Sequence, residues 1–146
     1  MKSFLNAFVV MLLVFNSNAV MADGGGTKYS DSPLNSVYEL IEDEQYTKAL
    51  SELNSMEDKD ADVFNLIGFS NRKLKNYDEA LRYYQKALDL EPQHKAANEY
   101  LGQLYLETGK LDKAEERLAV LDDACLFSCD EYRSLKRAIK KYKSEN

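Results

Sequence analysis

The chain has only two cysteines, a single histidine and no glycine-rich phosphate loop, and each shortage removes a chemistry. Two thiolates supply half of a tetrahedral metal shell, and His94 stands far ahead of Cys125 and Cys129, so a metal centre lacks its ligands. With no phosphate loop there is no cradle for a nucleotide, and with no histidine beside either cysteine there is no partner for a thiol nucleophile. The many carboxylates fall on helix faces that solvent would occupy. The expectation is a protein without metal or cofactor, without a small-molecule substrate, and not an enzyme.

Positive charge is short as well, with 19 Lys and Arg against 25 Asp and Glu. A polyanion such as nucleic acid is held by lysine and arginine, so it is excluded as a partner. Long apolar runs are almost absent. Only Ala7 to Phe15 (AFVVMLLVF) is unbroken, and a membrane span needs about 20 apolar residues. Asn6, Asn16, Ser17 and Asn18 interrupt it. Lys2, this apolar middle and the small residues of Val20-Met21-Ala22 have the order of a secretory signal peptide, so residues 1–22 are expected to be cleaved after Ala22. The remainder carries 18 basic and 25 acidic residues, a formal charge of −7. Residues 23–31 (DGGGTKYSD) are glycine-rich without apolar periodicity and read as a flexible leader.

What the chain does have is a repeat. Shifted by 34 residues, Ile67 falls on Leu101, Gly68 on Gly102, Tyr77 on Leu111, Asp78 on Asp112 and Ala80 on Ala114. A fixed period of this size means stacked units. Phe64, Ile67, Asn71 and Leu74 mark one helical face, and Tyr77, Ala80, Leu81, Tyr84, Ala87 and Leu88 another, at steps of three and four. Each unit therefore holds two helices. Asn76 followed by Glu79 gives the second helix its start signal, and Pro92 ends it.

The segment Phe64 to Pro92 (FNLIGFSNRKLKNYDEALRYYQKALDLEP) resembles the tetratricopeptide repeat, with the small Gly68, the pair Ala80 and Ala87, the aromatic Tyr84 and the closing Pro92 in that family's places. Asn98 to Asp122 keeps Leu101, Gly102, Tyr105, Gly109, Leu111 and Ala114, with Asn98 where a large residue is usual. Ser32 to Glu57 preserves Tyr46, Ala49 and Leu50 and a Ser32-Pro33 helix start. The fold class expected is all-α, a tetratricopeptide-type solenoid over residues 32–146. Its units run over about 32–59 (divergent), 61–94 and 95–128, with a capping helix over about 129–143. Gly68 and Gly102 are expected to face Ala80 and Ala114, letting the backbones of each pair approach.

The same offset lays Glu91 to Lys95 opposite Cys125 to Cys129, so the cysteines bracket a turn between units. Where Pro92 stops the earlier helix, a covalent bridge can hold the later turn. Export makes a disulfide the default for such a pair. Free structural thiols and redox or metal chemistry are the alternatives, and the redox motif has two intervening residues rather than three. Ser128 with Glu131 forms a capping-box signature for a last helix starting at Cys129 or Asp130.

That helix has Lys136 where the glycines stood, which suits a terminal element with no second helix to receive. Arg133, Lys136, Arg137, Lys140, Lys141 and Lys143 make it basic. Two readings stand: solvated charge at a helix C-terminus, or weak contact with an anionic partner. Cys125, Cys129, Tyr132, Leu135 and the Ala138-Ile139-x-x-Tyr142 ending are similar to small exported bacterial tetratricopeptide proteins, which implies a periplasmic location.

In this family the first helix of each unit lines an inner surface that takes peptides. The resemblance therefore implies an exported interaction module, an adaptor or scaffold with a protein or peptide partner, and assigns the groove to Tyr38, Asn65, Phe69, Arg72, Glu99 and Gln103. Phe69, beside an amide and a guanidinium, is the expected exposed anchor; packing against a neighbouring helix is the alternative. Members that clamp a terminal carboxylate place Lys and Asn where Leu34 and Tyr38 stand. A structural subunit of an envelope or secretion assembly is the rival role, and a thiol redox or metal-handling protein a lesser one.

Overall fold

The computed structural model describes residues 33–146; the expected signal peptide and leader lie outside them. Seven α-helices, and no strand among the described residues, follow one another: α1 (Asn35–Glu42), α2 (Tyr46–Ser55), α3 (Ala61–Lys73), α4 (Tyr77–Leu90), α5 (Lys95–Glu107), α6 (Leu111–Ala124) and α7 (Asp130–Glu145). The all-α solenoid is what the repeat demanded: three hairpins and a final unpaired helix.

The contacts explain its curvature. Each second helix wedges between two first helices, α2 between α1 and α3, α4 between α3 and α5, α6 between α5 and α7. The first helices α3, α5 and α7 also pack on one another, whereas the second helices make no packing of that extent among themselves. A stack drawn together on one side and splayed on the other bends toward the closer side, so the first helices form the inner layer.

The core is continuous along the stack. Val37, Ala49, Leu53 and Ile67 bury the first junction; Ala80, Tyr84, Leu101 and Leu104 the second; Ala114, Leu121, Leu135 and Ile139 the third. The glycines do admit close approach, but not to the expected residues. A Cβ on Gly68 would stand 2.7 Å from Cδ1 of Tyr84, and one on Gly102 would stand 2.5 Å from Cδ2 of Leu135. Gly68 thus faces the buried ring one turn beyond Ala80. Gly102 faces the capping helix rather than Ala114.

Several local signals resolve differently from their sequence reading. Helix α1 begins at Asn35 after Leu34, so Pro33 precedes the helix instead of opening it. Asn76 stands at the start of α4 without capping it; its amide points back to Asn71 Oδ1 at 3.4 Å. Asn71, in turn, bonds the Ile67 carbonyl at 2.9 Å, which is how the core tolerates an amide where Tyr105 sits in the next unit. Leu74, expected on the apolar face, closes α3 and is exposed. Ser128 has φ 53° and forms no cap; Cys129 precedes α7 instead.

His94 is structural. Its Nδ1 accepts from the Ala97 amide at 3.2 Å, capping α5, while Nε2 lies 3.0 Å from Asp62 on α3. Only the tautomer protonated at Nε2 satisfies both contacts. Asn98, fully buried, donates to the carbonyls of Pro92 and His94 and accepts from Arg117, tying the turn to α5 and α6. This is the physical reason an amide replaces the usual large residue there.

Candidate functional site

The inner layer carries the six side chains assigned to the groove, but at different depths. Tyr38, Phe69 and Gln103, one on each of α1, α3 and α5, are half-buried. Asn65, Arg72 and Glu99 are buried, at 3%, 6% and 8% exposure. Arg72 and Glu99 are engaged by internal partners. Asn65 keeps a buried Oδ1 without a hydrogen-bond partner.

Phe69 is not a lone exposed anchor either. Its ring sits 4.9 Å from that of Tyr100 on α5 and 6.2 Å, edge-on, from that of Tyr46 at the start of α2. Such offset and edge-to-face arrangements favour the ring quadrupoles and fix the ring's direction. The Arg72 guanidinium lies 5.5 Å from the Phe69 centroid and 5.8 Å from that of Tyr100, and Lys73 Nζ lies 5.6 Å from the Tyr46 centroid. Cations over aromatic faces add to the hold.

Beneath this ladder, Arg72 reaches Glu107 on α5 at 2.5 Å, and Lys75 reaches the same carboxylate at 3.5 Å. Burial works against the Arg72 charge. The Tyr84 hydroxyl and the Glu107 carboxylate outweigh it, so the guanidinium pKa ends above its ordinary value. Burial pushes the Tyr84 phenol up, and Arg72 pulls it only partly back. The Glu99 carboxyl is also raised, chiefly by burial and further by Glu131, although Ser134, Gln103 and Arg72 favour its charged form. Gln103 donates to it at 2.8 Å.

Tyr46, Lys73, Tyr100 and Glu107 belong to this site and were missed in the sequence. The 34-residue shift pairs Tyr100 with Leu66, and Glu107 lies one position beyond Leu106, the residue it pairs with Arg72. Tyr46 comes from a second helix.

At the far end of the stack, Cys125 closes α6, Cys129 precedes α7, and the two are disulfide-bonded with their Cα atoms 5.5 Å apart. Arg133 donates to the Ser128 carbonyl and binds Asp130, bracing the same turn. The turn displays Leu126 and Phe127 at 91% and 96% exposure. Among the described residues no three His, Cys, Asp or Glu side chains converge on a metal position.

Comparison with known proteins agrees with the repeat. A tetratricopeptide repeat family model matches residues 72–139. The uncharacterized protein ycf37 of Guillardia theta is 39% identical over 56 residues, 38% of this chain, and the match spans 32% of that relative's length. Among solved structures, PcrH in complex with the chaperone binding region of PopB superposes with a TM-score of 0.59 at 16% identity. The superposition covers 73% of this chain and 87% of PcrH.

Proposed function

We propose, because this chain is a tetratricopeptide repeat protein, that it is an adaptor or scaffold holding a peptide or protein segment against its inner layer of first helices. The observation that carries this reading is the half-exposed row of Tyr38, Phe69 and Gln103 on three successive first helices, with Phe69 fixed in place by Tyr46, Tyr100 and Arg72. A fixed aromatic loses little freedom on binding, which is what an anchor needs. That PcrH, which shares the fold, is seen with a segment of PopB supports a polypeptide ligand. Asn65 Oδ1, buried and unpartnered, is an acceptor for a backbone N–H.

A photo-crosslinking residue at position 103 tests the proposal. Adducts with a polypeptide from position 103 and none from position 85, exposed on α4, are expected; equal yields or none contradict it.

A second reading, a structural subunit of a larger assembly, is favoured by the apolar tip at Leu126 and Phe127. A crosslinker at position 127 then gives one discrete adduct while position 103 gives none.

Export to the periplasm belongs to the first reading. It is supported by the order of residues 1–22 and by the bonded cysteines, since such bonds persist in oxidising compartments. A mature mass starting at Asp23 is expected from fractionated cells; an intact Met1 in the cytoplasm contradicts it.

A further inference from the structure

The charges of the inner layer are not equally free. Its central carboxylates are occupied: Glu107 by Arg72 and Lys75, and Glu99 by Gln103, beside Ser134 of α7. Several of its flanking cations are not. On α3, Lys73 is exposed and touches only the faces of Tyr46 and Phe69. On α7, Arg133 is held by Asp130, whereas Arg137 and Lys140 are exposed and have no ion-pair partner among the described residues.

The orientation of α7 places Arg137, and Lys140 follows it one turn on, nearer to Lys143. Lys143 pairs with Glu115 of α6 at 2.5 Å, and Ser134 lies against Glu99 of α5. On a helix turning about 100° per residue, Arg137 then falls on the side away from α6, flanking the edge of α5 that carries Glu99 and Gln103. The 34-residue shift agrees, since it continues Phe69 to Gln103 to Arg137. The charge is also segregated along the chain. Residues 33–129 hold 20 acidic and 11 basic side chains, and residues 130–146 hold 3 and 6.

We infer that the groove takes an acidic polypeptide segment, with an apolar side chain against Phe69 and carboxylates on Arg137 and Lys140 of α7 and on Lys73 of α3. The inference rests on the inner layer being a peptide groove and names its ligand class. Two helix spacings of about 8–10 Å separate α3 from α7. Five or six extended residues at about 3.3 Å each cover that span. An anionic bilayer is the poorer fit. It is broad enough to meet the acidic body of residues 33–129 as well, whereas a single extended segment meets only the inner layer. At physiological salt, charges more than about 8 Å away are screened, so the segment reads the local cations and not the net charge.

Anisotropy measurements with the full disulfide-bonded chain test this. The probes are three dye-labelled, C-terminally amidated ten-residue peptides with one central Leu-Phe pair and four Glu, four Gln or four Lys. The Glu peptide should bind at least ten-fold tighter than the Lys peptide at low salt, with the gap closing as salt rises. R137E/K140E should cost ten-fold or more in its affinity. Lys86→Glu, an exposed cation on α4, should change nothing, and circular dichroism should confirm that both variants fold.

Equal binding of all three peptides overturns the charge preference and leaves the groove standing. No binding by any of them overturns both. A Glu preference that survives R137E/K140E overturns the assignment to α7. Retention on phosphatidylglycerol vesicles that R137E/K140E abolishes, without a peptide preference, overturns it in favour of a lipid surface.

Discussion

The guanidinium of Arg72 meets the carboxylate of Glu107 at 2.5 Å, 35 positions along the chain. The pair ties α3 to α5 one residue off the repeat, directly beneath the Phe69–Tyr100 contact. It holds the two inner helices at the spacing the groove requires. Replacing Arg72 by Met should cost about 1–3 kcal/mol in urea denaturation, because Glu107 loses its charge partner; the low end reflects that its side chain, 30% exposed, can still reach water. Lys75→Met, at an exposed position, should leave the midpoint unchanged. Equal effects of the two substitutions would refute the distinction.

Gly68 admits the Tyr84 ring and Gly102 admits Leu135. Gly68→Ala should lower stability by about 1–3 kcal/mol through overpacking against a ring that is fully buried mid-stack. Gly102→Ala should cost less, since Leu135 has a flexible side chain on a terminal helix that can shift. Thermal melts of the two variants decide, and the reverse order would contradict the packing assigned.

Glu99 makes stability depend on pH. Its folded pKa lies above the unfolded value, so its contribution is fully present below that unfolded value, about 4.3, and is lost as pH rises through the folded one. Glu99→Gln carries no such loss. The melting temperature of the variant minus that of the wild type should therefore grow more positive from pH 4 to pH 7. A difference that is flat or shrinks would show that Glu99 is not held against its ionisation.

Joining Cys125 to Cys129 closes a five-residue loop, which removes about 2 kcal/mol of chain entropy from the unfolded state. Reduction should lower stability by about that amount. Because the bridge ties the end of α6 to the start of α7, amide exchange should quicken in α7 and not in α3 or α4. Uniform quickening, or none, would contradict a local staple.

Much of this architecture is legible in the sequence because a 34-residue period repeats the helical spacing itself: wherever Ile67 and Leu101 recur, a buried face recurs. Gly68 and Gly102 announce close approach by lacking a side chain. What they approach is not legible. Whether Ala80 or Tyr84 lies opposite depends on the crossing of two helices, and the period records only each helix against its own copy. Depth fails for a similar reason. Arg72 and Glu99 lie on first helices, but a neighbour one unit away, Glu107 for the one and Ser134 for the other, engages each side chain. The helix starts signalled at Asn76 and Ser128 do fall at α4 and α7, but neither side chain caps its helix, because each residue has a competing role. Asn76 pairs with Asn71, and Ser128 takes the left-handed conformation that lets the disulfide turn close.

The most direct test of the account is a 15N–1H correlation titration of the assigned chain with the Glu-rich Leu-Phe peptide. Shifts should concentrate at Phe69, Tyr100, Gln103 and Arg137, with the amides of Leu126 and Phe127 and of α4 unmoved. Shifts confined to the disulfide turn or to the outer helices would contradict it.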